Sequence, residues 1–295
     1  MSLYQRVDGV PQLRDSLVAY LDVLGIQQAY HQDADTTAAV LDRALQTALH
    51  FASLQPAAGG GFAGSAVHDS VTLGMPWDQP SASLVAAFAV EALQLLQASL
   101  TVVQQGHLNG LFTRGAIASG SHFIDDRFVG GLALARAVAA EGARDGNPWR
   151  DRPVVRVLPE ALVRLPLNAP GPMGALAWCD GEAFVNYLAG FAVTPATPGS
   201  FVAADDPELA EALARHGQLL RDNLRSATDA TRPKYRWLLG YHNAFCRRLE
   251  LDNLQIDTAS SSAAPQPQPG EPGANQISFD DPRDGAAAGY RRRLM

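Results

Sequence analysis

Lysine is nearly missing from this 295-residue chain: Lys234 is the single one among 23 basic residues. Against them stand 30 acidic residues, for a formal net charge of −7 and an isoelectric point near 5.4. No basic surplus is left for a polyanion, so DNA and RNA are poor candidates as partners. The arginine bias itself reads as compositional. Cysteine is also scarce. Cys179 and Cys246 alone make neither a disulfide framework nor a zinc cage, and both are expected to sit reduced in a cytoplasmic protein. The opening MSLYQRVDGVPQLRDSL lacks the apolar core and cleavage site of an export signal. The most apolar long stretch, residues 81–105, carries Glu91 and several glutamines, which favours a soluble helix over a membrane span.

What is present is a globular composition, 47% hydrophobic and 18% charged. The length suits one domain, or one with an appendage. Residues 17–24 (LVAYLDVL) form an apolar run broken by Asp22 and ended by Gly25, as in a buried strand. Residues 35–54 show helical spacing with Asp35 or Thr36 as cap, and 62–67 and 70–75 read as a hairpin with Asp69 at its tip. A helix is expected over 81–105, capped by Ser81, with Leu84, Phe88, Leu95 and Val102 marking one face. Strands follow at 110–119, near 126–130 and at 153–158, with a helix over 132–141. Residues 178–190 read as a turn at Asp180-Gly181 and an amphipathic segment, and 207–226 and 230–251 as two helices. The order implies a ferredoxin-like βαββαβ α+β core with a C-terminal helical extension. Residues 1–257 are the expected folded unit. Residues 258–295, rich in Ser, Ala, Pro and Gln, cannot bury enough apolar surface to order and are expected to be disordered, with Arg291–Arg293 a solvated cluster.

Asp22 is the first residue that needs an explanation, because an unpaired carboxylate in a buried strand is costly. If the hairpin lies beside the first strand, Asp69 converges on it. Two carboxylates about 4 Å apart repel by roughly 4 kcal/mol at an effective dielectric of 20. A divalent cation reverses that sign, and an all-oxygen ligand set suits Mg²⁺ or Mn²⁺.

Residues 20–25 (YLDVLG), 68–70 (HDS) and 114–120 (RGAIASG), in this order, resemble the class III nucleotidyl cyclase catalytic domain. That resemblance implies two metal ions (Mn²⁺ or Mg²⁺) held by Asp22 and Asp69, with the Val23 carbonyl as a further ligand. It also implies Arg114 on the polyphosphate, and a homodimer with sites at its interface. The segments GSHFIDDRFVGGLALARAVAAEG, PVVRVLPEAL, DGEAFVNYL and KYRWLLGYHN are similar to the Pycsar antiphage branch, the uridylate and cytidylate cyclases. The implied substrate is UTP or CTP, and the implied product a cyclic nucleotide read by a separate effector. The resemblance spans about residues 15 to 250.

Departures from the pattern bear on the base. A purine-reading Lys or Glu is expected four residues before the second aspartate, where Ser65 stands. The transition-state Asn and Arg of the family's helix fall at Ala135 and Ala139, and Arg136 lies on a different helix face. Base contacts are then sought at Phe62, as a stacking wall, and at Asp126 and Arg127. His68 is expected to be a structural hydrogen-bonder. Two other readings remain: a purine cyclase with unusual base contacts, and a non-catalytic nucleotide-binding module.

Overall fold

Alternation explains the first long strand, β1 (Arg14–Val23). Leu17, Ala19, Leu21 and Val23 are all at most 6% exposed and face one side, while Tyr20 and Asp22 point to the other. In the computed structural model, the residues described are 3–53, 61–67, 69–79, 81–105, 108–141, 149–165, 174–193, 206–256 and 277–279. Chain order continues with α1 (Ile26–Gln32), α2 (Ala34–Ser53), β2 (Ala63–Val67), β3 (Ser70–Pro76) and α3 (Ala82–Thr101). Next come β4 (Thr113–Ile124), β5 (Val129–Gly130), α4 (Leu132–Glu141), β6 (Val155–Val157), β7 (Leu176–Cys179) and β8 (Glu182–Val185). Two long helices follow, α5 (Pro207–Ser226) and α6 (Arg232–Arg248).

The sheet runs β7-β8-β6-β4-β1-β3-β2, with β5 pairing β4, and β6 with β4 is its one parallel pair among the described strands. Its middle is a β-α-β-β-α-β run in the order β4-β1-β3-β2. Helices α2 and α3 cover one face, where Val40, Leu41, Val85, Leu93, Leu96 and Leu100 meet the inward residues of β1 and β3. Helix α4 covers part of the other face, packing Ala137 against Ala116 and Ala118 of β4.

A second apolar cluster forms where α5 and α6 close over β7 and β8. Leu209, Leu213, Leu238, Tyr241 and Phe245 are fully buried there around Phe184 and Tyr187. Within it, a polar chain is satisfied end to end. Tyr187 Oη meets His216 Nε2 at 3.1 Å, the two Nδ1 atoms of His216 and His242 lie 3.1 Å apart, and His242 Nε2 reaches the Leu254 carbonyl at 3.1 Å.

Several local expectations are corrected. Helix α2 is capped by Asp33, which accepts from the Thr36 N–H at 3.0 Å and lies ahead of both Asp35 and Thr36. Ser81 precedes α3 with a positive φ of 58° and no side-chain cap bond. The buried side of α3 centres on Val85, Leu93 and Leu96, while Leu84 is 44% exposed. That helix is long and apolar enough to cross a membrane, but 72% of its most apolar window is buried inside the fold. Around Asp180-Gly181 a full hairpin forms between β7 and β8, both turn residues having positive φ as a type I′ turn requires. Part of the expected disordered tail is placed. Ser278 pairs with Trp178 on the free edge of β7, and Phe279 packs against Tyr241 and Phe245. The rest of 258–295, Arg291–Arg293 included, lies outside the described residues, as does His68.

Candidate functional site

One end of the three central strands gathers the charged residues. In the sheet register Asp22 of β1 stands opposite Ser70 of β3 on one side and Arg114 of β4 on the other. Asp69 is the residue just before β3, and its carbonyl accepts the Val23 N–H at 3.0 Å. The hairpin therefore locks Asp69 beside Asp22. Backbone pairing, which the hydrophobic alternation of β1 and β3 dictates, does this work.

Arg114 reaches across the strands with Nε and Nη2, both 3.3 Å from Asp22 Oδ2. Its Nε also forms an ion pair with Glu141 Oε1, at the carboxyl end of α4. Gly115 permits the close strand approach, since a Cβ there would stand 1.9 Å from the Tyr20 carbonyl oxygen. The side chains of Asp22, Arg114 and Glu141 are 18%, 24% and 10% exposed, so the cluster is half-buried at a mouth. Burial raises the Asp22 carboxyl above its ordinary range; Arg114 pulls it down, and Asp69 pushes it further up. Glu141 is raised by burial too, with Arg114 opposing and Asp22 and Asp69 reinforcing. Tyr20, two residues before Asp22 on the same face, bonds Ser70 Oγ at 2.9 Å, and burial together with the nearby acids lifts its hydroxyl.

Three carboxylates against one guanidinium leave the mouth over-supplied with negative charge. Among the described residues no three His, Cys, Asp or Glu side chains converge as a ready metal cage. Asp22 and Asp69 instead bring hard carboxylate oxygens to the same sheet end, Asp69 tied there by its backbone bond to Val23. A Mg²⁺-like ion typically takes one or two carboxylates and completes its shell with water and substrate phosphates. The donor set fits such an ion.

The expected base-contact residues part company here. Ser65 lies on β2 opposite Thr72, which in turn pairs with Tyr20, so it shares the face of Asp22. Phe62 does not. It packs into the helix-covered core beside Leu73, Met75 and Leu93, on the opposite face, because the alternation that turns Ala63 outward turns its neighbour inward. Asp126 and Arg127 are exposed beyond the far end of β4; ten residues separate Arg114 from Ile124, or about 33 Å of strand. In that loop Asp125 is the structural acid, pairing with Arg6 at 2.7 Å and accepting the Arg127 and Phe128 N–H groups. None of the three belongs to the mouth of its own chain. Ala135 and Ala139 are exposed on α4, and Arg136 donates to the Ser119 carbonyl at 2.9 Å rather than turning to the acids.

Two residues at the mouth escaped the sequence reading, Glu141 and Tyr20. The signal for Glu141 was an acid at a helix carboxyl end, where the dipole disfavours it. For Tyr20 it was a polar-tipped residue two before Asp22, on the same strand face.

No family model and no curated protein matches this sequence. Among solved structures, the adenylyl cyclase CyaB from P. aeruginosa aligns over 52% of this chain and 81% of its own, at 16% identity and a TM-score of 0.38. Two structures of a bacterial light-regulated adenylyl cyclase align at 13% identity each. One covers 72% of this chain with a TM-score of 0.43, the other 59% with 0.42; this chain spans 61% and 52% of their lengths. At these scores the likenesses are remote, and the reading of the site rests on its own geometry.

Proposed function

We propose that this chain is a nucleotidyl cyclase with a ferredoxin-like core of the class III kind, closing a nucleoside triphosphate to its 3′,5′-cyclic monophosphate. The observation that carries this reading is the register that sets Asp22, Asp69 and Arg114 side by side at one half-buried sheet end. Two acids there raise the cost of each other's charge, which is the condition under which divalent cations bind.

In this reading Asp22, Asp69 and the Val23 carbonyl would hold two Mn²⁺ or Mg²⁺ ions. Such ions, when bound, lower the pKa of a coordinated hydroxyl and neutralise phosphate charge. Asp22 and Asp69 orient the substrate so that its 3′-oxygen faces the α-phosphorus. Arg114 turns its guanidinium to the β- and γ-phosphates and stabilises the departing pyrophosphate. The hydroxyl's proton leaves to solvent through the open mouth.

The proposed substrate is a pyrimidine nucleotide, UTP or CTP, with the product a second messenger in antiphage defence read by a separate effector. What supports the base assignment is Ser65, Thr72 and Tyr20, a neutral hydroxyl-bearing strip across the strands on the face of Asp22. The defence role rests on the sequence resemblance alone. A homodimer is proposed because α4 and the hairpin expose Leu132, Val138 and Val67, 50%, 41% and 58% accessible, on the side that carries Asp22.

The test is to incubate purified protein with each of the four ribonucleoside triphosphates and Mn²⁺, and to resolve products by mass. Cyclic UMP or CMP that disappears in Asp22→Ala and Asp69→Ala is the expected result. Cyclic AMP or GMP instead overturns the pyrimidine assignment. No cyclic product from any nucleotide overturns the cyclase reading and leaves a binding module.

A further inference from the structure

The charge arithmetic at the mouth leaves Glu141 unexplained. Its carboxylate is disfavoured on three counts: it is 10% exposed, it stands at the carboxyl end of α4, and it shares its surroundings with Asp22 and Asp69. A helix end with Gly142 next in sequence would be more stable with a lysine or a neutral residue there. It forms an ion pair with Arg114 Nε.

Arg114 is gripped from two elements at once, by Asp22 from β1 and by Glu141 from α4. The two grips differ in permanence. If Asp22 turns its oxygens to a divalent cation, as the proposed function requires, it can no longer hold the guanidinium, and the arriving positive charge repels it. Glu141 sits on a different element and keeps its hold. A guanidinium released on both sides would regain rotamer freedom, and ordering it again would weaken phosphate capture.

Resting on the cyclase reading, we infer that Glu141 is the positioning residue for Arg114, keeping its guanidinium aimed at the triphosphate once Asp22 has turned to metal. Glu141 touches no substrate in this account and acts through Arg114.

The experiment uses inorganic tripolyphosphate with Mn²⁺ as the probe, which is independent of the base, and calorimetry on the full chain. Glu141→Gln, close in shape and without charge, is expected to weaken tripolyphosphate binding about tenfold. Binding of Mn²⁺ alone should weaken by a clearly smaller factor, since Glu141 adds charge near Asp22 and Asp69 but no ligand to the ion. In an Arg114→Gln background Glu141→Gln should cost nothing more, because its effect is routed through the missing guanidinium. Wild-type affinity in Glu141→Gln overturns the inference. So does a loss that adds fully to that of Arg114→Gln, which would mark a merely structural role. Should wild-type protein bind no tripolyphosphate, or Asp22→Ala and Asp69→Ala bind it unaltered, the cyclase reading falls and takes the inference with it.

Discussion

Two polar clusters in this molecule make opposite bargains with burial. At the mouth, Asp22, Asp69, Glu141 and Arg114 are partly buried, and three acids face one guanidinium. Under α5 and α6, Tyr187, His216 and His242 are at most 1% exposed and carry no charge. One proton arrangement satisfies that second cluster completely. Tyr187 donates to His216 Nε2, His216 Nδ1–H donates to His242 Nδ1, and His242 Nε2–H donates to the Leu254 carbonyl. A polar group whose partners are all internal specifies packing, whereas charge left uncompensated at an opening awaits a ligand.

The largest expected difference is in activity. Asp22→Asn should lower turnover by about 10³-fold, since one carboxylate of the metal pair is gone. Its melting temperature should hold or rise, because burial and Asp69 already disfavour the charge there. A drop in both would mean that the mouth is built for stability.

The converse variant is His216→Ala. It opens a void and strands the Tyr187 hydroxyl and a His242 nitrogen, a destabilisation of about 3–4 kcal/mol by chemical denaturation. The affinity of the folded protein for triphosphate should not change. If it does, the two clusters are coupled and the contrast fails.

Acid separates them again, with opposite signs. Burial pushes His242 down to about 4 from 6.5, and His216 well below 6.5. Above pH 6.5 both are neutral whether folded or not. Between 6.5 and 4 the unfolded chain takes up protons that the folded one refuses, so stability falls as pH drops, by about 3 kcal/mol for His242 alone. The raised Asp22 and Glu141 carboxyls act the other way. They cost stability once pH rises above the ordinary carboxylate range, and that cost is relieved on acidification. Across pH 4–8 the denaturation midpoints of His216→Ala should therefore lose the share of this fall that belongs to His216 and keep the share that belongs to His242. In Asp22→Asn the fall below pH 6.5 should persist.

The smallest effect belongs to the edge contact of the C-terminal segment. Phe279→Ala removes ring contacts at 6.3 Å and 5.6 Å to Tyr241 and Phe245, worth about 1 kcal/mol. Turnover should be untouched, and a large change in it would tie that segment to the mouth instead.

Much of the scaffold was legible in the chain. Helix α4 begins and ends where the alanine-rich stretch does, at Leu132 and Glu141, and the β2–β3 hairpin flanks Asp69 as the alternation implies. Strand β4 was less so. It starts later and runs further than 110–119, because its outer half, out to Ile124, is recruited by pairing with β1 and β5 rather than by local pattern. The β7–β8 hairpin was missed because Leu176–Cys179 is buried on both faces and shows no alternation to read.

At the site, the approach of Asp69 to Asp22 was expected on the condition that the hairpin lies beside the first strand, and Arg114 was singled out by the sequence resemblance alone. Glu141 was legible in neither way. It meets Arg114 only because α4 folds back over β4 and β1, a contact 27 residues away in sequence. The inward turn of Phe62 and the distant placement of Asp126 and Arg127 follow from strand facing and strand length in the assembled sheet. Local pattern fixes which faces are apolar; convergence of charges from separate elements is set by how those faces are buried together, and that is a property of the packed chain.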